Sequence, residues 1–147
     1  MFDWRRGGAV ALAMLLVALA ACGRSDPEQA LRASLADLQQ AVEGRDAGRI
    51  ANHLAEDFIG PGGMDRDGAR RMAALHFLRH RQVGVHAPGP VAISLQDAYA
   101  RVTFTAALTG GERFLPDTGQ IYRIESGWRR EGADWRMTSI EWRPAVR

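Results

Sequence analysis

The chain contains no lysine. Every basic residue is an arginine, and together with abundant alanine and glycine this reads as the codon bias of a GC-rich genome. Nineteen arginines against 17 acidic residues leave a formal charge of +2. Arg, Asp and Glu are interspersed, with no basic run or stripe, so the electrostatic footprint of a nucleic-acid binder is missing. Cysteine occurs once, at Cys22, which excludes a disulfide framework. The one sustained apolar run, Ala9 to Ala18 with Leu19 behind it, is shorter than the roughly 20 residues that cross a bilayer. No serine lies in a nucleophile-elbow pattern. His76 and His80 stand four apart, but Phe77 replaces the glutamate of a zinc-protease helix, and metal ligands would have to arrive from elsewhere, such as His53, His86 or Asp57. No metal and no cofactor is therefore expected.

What is present begins at the N-terminus. Arg5 and Arg6 precede the apolar core, which carries Leu12, Met14, Leu15, Leu16 and Val17. The core ends in Leu19-Ala20-Ala21-Cys22. A positive segment, a short apolar segment and small residues before a cysteine resemble a bacterial lipoprotein signal peptide with its lipobox. The resemblance implies that 1–21 is removed and that Cys22 becomes the acylated first residue, with palmitate among its chains. One acyl chain holds a protein marginally, whereas two anchor it stably. Residues 22–26 then form the lipidated cysteine and a short polar tether. Gly23, in place of aspartate, points to the periplasmic face of an outer membrane rather than the inner membrane. About 126 residues remain, enough for one domain with a core. Loss of Asp3, Arg5 and Arg6 removes a net +1, so the mature charge is +1.

From Pro27 on, helical periodicity comes first. Asp26 is a candidate N-cap with Pro27 at the first helical position, and Leu31, Leu35, Leu38 and Val42 form one stripe that Gly44 should end at C′. Asp46 can cap a second, shorter helix carrying Ile50 and Leu54. Phe58 and Ile59 then lead into the break at Gly60-Pro61-Gly62-Gly63. Asp65 or Asp67 can cap a third helix through Met72, Leu75 and Leu78. Beyond Arg81 the pattern alternates. Strands are expected around Val83 and Val85, Val91 to Leu95, and Ala98 to Leu108. The last of these places Ala100, Val102, Phe104, Ala106 and Leu108 on one face. Gln120 to Arg130 and Trp135 to Arg143 should form a closing hairpin.

Three helices before an antiparallel meander is an α+β order. Glu43-Gly44-Arg45-Asp46-Ala47, then Leu54-Ala55-Glu56-Asp57-Phe58, then an aspartate-capped helix, resemble the opening of the NTF2-like superfamily. Asp134-Trp135-Arg136-Met137 through Glu141-Trp142 is similar to the last strand of its SnoaL-like branch. The resemblance spans nearly all of 27–143. It implies a cone-shaped domain over 27–147, with three N-terminal helices packed on a curved antiparallel sheet around a cavity. Superfamily members include isomerases, dehydratases, epoxide hydrolases and binders, so the fold does not decide the activity.

In isomerases of the superfamily a carboxylate base follows the first strand. The matching stretch here, Gly60-Pro61-Gly62-Gly63, has none, and Asp65 is more simply a cap. On the last strand the matching polar positions are Ser139 and Glu141, which share a face with Trp135 and Met137 by period two. Tyr122, Ile124, Ser126 and Trp128 share a face of the preceding strand. Glu141 with Tyr122 could form an acid–base pair, and Asp57 is a third catalytic candidate. The plainer reading pairs Glu141 with Arg101, Arg123 or Arg143. Tyr122, Ser126, Trp128, Trp135, Ser139 and Glu141 are the expected ligand-binding set. Odd spacing puts Trp135 and Trp142 on opposite faces, one for the core and one for a rim or a homodimer interface. The segment Gly110 to Gly119, with Phe114, Leu115 and Pro116, is either a lid or a long sheet connection. With no convergent acid–base set, the expected function is a membrane-anchored domain that binds a small apolar ligand or an envelope protein. The alternative is a small-molecule isomerase or hydrolase using Glu141, Tyr122 or Asp57.

Overall fold

The computed structural model describes residues 26–81, 83–87, 89–110, 113–114 and 121–145, the side chains of 108–110 and 113–114 excepted. The signal segment, Cys22 and most of the Gly110–Gly119 connection lie outside the described residues.

Helix α1 (Pro27–Glu43) starts where its cap predicts, with Asp26 Oδ1 accepting from the Glu28 amide at 3.1 Å. Leu31 and Ala41 are fully buried, and Leu35 and Leu38 pack beside them. The helix stops at Gly44, but the left-handed residue is the next one, Arg45 (φ 57°). The amides of Arg45 and Asp46 return to Val42 O and Ala41 O, both at 3.0 Å, a Schellman closure that usually places glycine at this position. The arginine side chain offers a reason. It crosses to the end of the third helix and donates to the carbonyls of Phe77 and Arg81, where a cation complements the helix dipole.

Helix α2 (Ala47–Asn52) is capped by Asp46 and ends at His53, earlier than the helix expected through Leu54. Leu54 instead begins strand β1 (Leu54–Ile59). A short 3₁₀ turn (Pro61–Gly63) leads to α3 (Arg66–Arg79), capped by Asp65. The strands β2 (Val83–His86), β3 (Ala92–Gln96), β4 (Tyr99–Gly110), β5 (Arg113–Phe114), β6 (Tyr122–Glu131) and β7 (Asp134–Pro144) follow. The sheet runs β1-β7-β6-β4-β2, with β3 and β5 also paired to β4. β1 lies parallel to β7, so the sheet is mixed rather than wholly antiparallel, and one strand falls between the second and third helices. A β1 of six residues with the burial pattern in-in-out-out-in-out carries no clean alternation, which hides it from period-two reading.

β4 and β6 alternate as expected. Ala100, Val102 and Ala106 are buried on β4, and Ile124, Ser126 and Trp128 on β6. Phe104 shares that face but is half-buried. β6 and β7 are joined by a two-residue turn in which Gly132 has φ 66°. Glycine first, with the positive φ confined to it, is the II′ pattern that matches strand twist.

β7 departs from simple parity. Trp128 faces Met137, yet Gly127 faces Ser139, so Thr138 is an extra residue. Such a bulge shifts every later side chain by one position. Trp135 and Met137 point inward before it, and Ile140 and Trp142 share the inner face after it, opposite Ser126 and Ile124. Ser139, Glu141 and Arg143 therefore take the outer face. Gly127 makes room for the bulge. A Cβ there would lie 2.7 Å from Ser139 Oγ and 3.2 Å from Thr138 Oγ1.

The core joins Leu31, Leu54, Phe58, Ala100, Val102, Trp128, Trp135 and Met137. Each large side chain buried here contributes about 1.5–3 kcal/mol relative to exposure. Both indoles keep their N–H satisfied. Trp128 Nε1 donates to Ser126 Oγ at 2.9 Å, Ser126 donates onward to Val102 O at 3.3 Å, and Trp135 Nε1 donates to Pro27 O at 3.1 Å.

Candidate functional site

The helices meet the β1–β7 edge of the sheet at an open cleft of about 940 Å³. Its walls come from α1 (Ser34, Asp37), α2 with its cap (Arg49, Asn52, His53), β1 (Glu56, Asp57) and the β6–β7 hairpin (Arg129, Glu131, Arg136). On the α1–α2 side, Asp37 is held by two partners. Arg49 grips both its oxygens, and His53 Nε2 donates to Oδ2 at 2.5 Å. The Arg49 guanidinium, then His53, hold the Asp37 carboxyl below the usual carboxylate range. Asp37 in turn raises Arg49.

On the strand side, Arg129 forms a two-pronged bond to Asp57, at 2.8 and 3.0 Å, and a third to Glu131 at 2.8 Å. Arg129 lowers the Asp57 carboxyl, and its own proton is held more tightly by Asp57 first and Glu131 second. Arg136 bonds Glu131 at 3.1 Å and also donates to Asn52 O. Arg66 donates to Ala51 O at 2.9 Å. Two arginines thus satisfy the end of α2, a helix too short to stand alone.

The expected ligand-binding set is split between two faces. Tyr122, Ser126, Trp128 and Trp135 lie on the inner face. Trp128 and Trp135, each 1% exposed, fill the space between sheet and helices with Leu31 and Val102. Ser139 and Glu141 lie on the outer face, turned there by the extra residue Thr138. Tyr122 pairs across to Pro144, three positions from Glu141 and on the opposite side, so the two cannot form an acid–base pair. Trp135 and Trp142 share a face instead of taking opposite ones. Trp142 is exposed because it lies at the strand's far end. Glu141 stands opposite Glu125, and it is Glu125 that pairs with Arg101, at 3.3 Å. Asp57 alone of the three catalytic candidates reaches the cleft, in its pair with Arg129.

His76 and His80 lie side by side, with ring centroids 4.6 Å apart and planes tilted by 43°. Among the described residues no three potential ligands gather around a metal position. Asp37, Arg49, Arg129 and Arg136 were not singled out from the sequence, because they meet only in the folded chain. The one available signal was Asp37 itself, an acid set between Leu35 and Leu38 beside the buried stripe.

Solved structures share this architecture. Bd1075 of Bdellovibrio bacteriovorus superposes with a TM-score of 0.71 at 15% identity, over 81% of this chain and 41% of that protein. This chain therefore spans less than half of Bd1075. A candidate dehydratase of the NTF2-like family from Streptomyces avermitilis gives 0.69 at 18% identity, over 82% of this chain and 97% of that one. An NTF2-like protein from Cytophaga hutchinsonii gives 0.64 at 14%, over 82% and 99%. The fold is NTF2-like. No protein-family model and no curated protein matches the sequence. At these identities the likeness extends to the fold, and the neighbours include both a candidate dehydratase and proteins of no stated activity.

Proposed function

We propose that this chain is an envelope protein held to the membrane through acylated Cys22, and that its NTF2-like domain binds a partner at the rim cleft rather than performing chemistry inside the cone. The lipobox supports the anchor, and Gly23 in place of aspartate supports the periplasmic face of an outer membrane. One observation carries the binding reading. Trp128 and Trp135 occupy the interior with their N–H groups satisfied, where a small apolar ligand or a substrate would otherwise sit. Ligand sites for small molecules are concave and mostly apolar. The open volume here is instead lined by Asp37, Arg49, Asp57, Arg129, Glu131 and Arg136, charges of both signs already paired. Such a surface suits a mixed-charge protein segment, which exchanges partners with the existing pairs at little net cost.

A photo-crosslinking residue at Glu56, exposed on the cleft wall, tests this in the native envelope. A discrete protein adduct that disappears in Arg129→Glu supports the reading. Adducts indifferent to that charge reversal count against it. The anchor is tested separately, since Cys22→Ser should remove the acyl mass and release the protein from the membrane. Unaltered mass and retention would overturn it.

A second reading has its own observation. His53, oriented by Asp37 at the cleft floor, has the geometry of an imidazole positioned for proton transfer. If the protein is an enzyme, His53→Gln should abolish turnover of its substrate while partner crosslinking persists.

A further inference from the structure

α3 wears large apolar side chains on its solvent side. Phe77 is its buried residue, with Ala69 packed against the core. At about 100° per residue, Leu75 lies nearly opposite Phe77, and Met72 and Leu78 lie about 60° to either side of Leu75. The three are 46%, 51% and 83% exposed. Arg71 and Arg79 stand between them on the same face, both exposed. The helix holds one acid, Asp67, at its first turn and on the flank of this face. Arginines among apolar side chains can lay their stems along a lipid surface and reach up to its phosphate groups.

We propose that this face lies on the surface of an anionic bilayer. The inference rests on the lipid-anchored reading, and it names the lipid surface as a second point of attachment. The chain places α3 suitably. Three residues separate Cys22 from Asp26, four Cα–Cα steps that span at most about 14 Å. Pro27 is bonded by Trp135, the neighbouring Arg136 reaches Asn52, and Arg66 at the start of α3 reaches Ala51. These bonds join the base of the tether to the start of α3 through β7 and the end of α2. A second copy is a poor occupant, because a pairing of two such faces would set Arg71 and Arg79 against their counterparts with no facing acid.

The acylated protein carries no other thiol, so a cysteine at Ala74, exposed beside the stripe, can take an environment-sensitive fluorophore. A matching label at Ser94, exposed on β3, is the control. The protein is reconstituted into vesicles of phosphatidylcholine alone or with phosphatidylglycerol. Docking predicts a blue shift at position 74 on the anionic vesicles, its reversal at high salt, and no shift at position 94. Each of Arg71→Gln and Arg79→Gln should lower the docked-to-undocked ratio about fivefold. Three results would overturn the docking: no shift at 74, a shift that ignores lipid charge, or a shift that rises with protein concentration in the absence of lipid. Mass spectrometry of the same sample reports the acyl chains, so failure of the anchor is seen separately from failure of the face.

Discussion

β6 and β7 are hairpin partners of nearly equal length, and they treat alternation differently. β6 keeps period two from Ile124 to Trp128, and the faces read from its sequence are the faces it has. β7 keeps it only as far as Met137. One extra residue, Thr138, then inverts every position that follows. Before the bulge, the outward residues Arg129 and Arg136 reach the rim cleft. Beyond it, Ser139 and Glu141 look out from the bare side of the sheet. A strand's pattern is thus trustworthy only up to its first irregularity, and β7 hides its irregularity because Thr and Ser are equally at home on either face.

β6 and β7 should answer a one-residue deletion in opposite ways, and the regular strand should suffer most. Removing Glu125 leaves Ile124 beside Ser126, so either Ile124 or the pair Ser126 and Trp128 turns outward. Losing one or more buried side chains at about 1.5–3 kcal/mol each should lower stability by more than about 2 kcal/mol. Removing Thr138 instead leaves Met137 and Ile140 inside and Ser139 and Glu141 outside, so it should cost less. Denaturant melts measure both, and equal losses would mean that Thr138 is not the extra residue.

The stripe of α1, the caps Asp26, Asp46 and Asp65, the faces of β4 and β6 and the closing hairpin all follow from local chemistry, and the sequence carries it. β1 was missed because Glu56 and Asp57 both turn outward and break its alternation. The outer stripe of α3 was visible as a periodicity. Its side was not, since Met72, Leu75 and Leu78 look like core residues until Phe77 is seen to be the one that is buried. The cleft was least legible. Asp37 and Arg49 belong to different helices, and Asp57 and Arg129 are brought together by strand order alone.

On the regular strand, Ser126 offers a sharper test. It is 1% exposed and accepts the Trp128 N–H. Ser126→Ala leaves that donor buried without a partner, at about 1–3 kcal/mol. If the side chain were merely filling space, alanine would be nearly neutral, and adding Trp128→Phe would recover nothing in a double-mutant cycle.

The two rim carboxylates make a smaller, pH-dependent contribution. Asp37 and Asp57 titrate lower in the folded chain than unfolded, so each adds stability above the unfolded carboxylate range near pH 4. That stability is lost as the pH falls through the folded values. Melting temperature should therefore be flat near neutrality from these groups and drop below about pH 4. Asp57→Asn should shallow the drop. An acid limb as steep in the variant as in the parent would show that the Arg129 bridge does not bind its carboxylate differently in the two states.

The smallest effect is expected at the position the bulge moved furthest from its apparent role. Glu141 stands directly across from Glu125 on the outer face, and Arg101 already pairs with Glu125. Like charges opposite one another on adjacent strands repel weakly. Glu141→Gln removes one of them and should leave the protein unchanged or slightly more stable, by less than about 1 kcal/mol. It should also leave crosslinking from Glu56 intact, because residue and cleft lie on different parts of the surface. Loss of stability beyond about 1 kcal/mol would instead place the carboxylate in an interior pair, and with it an alternation of β7 that runs uninterrupted through Thr138.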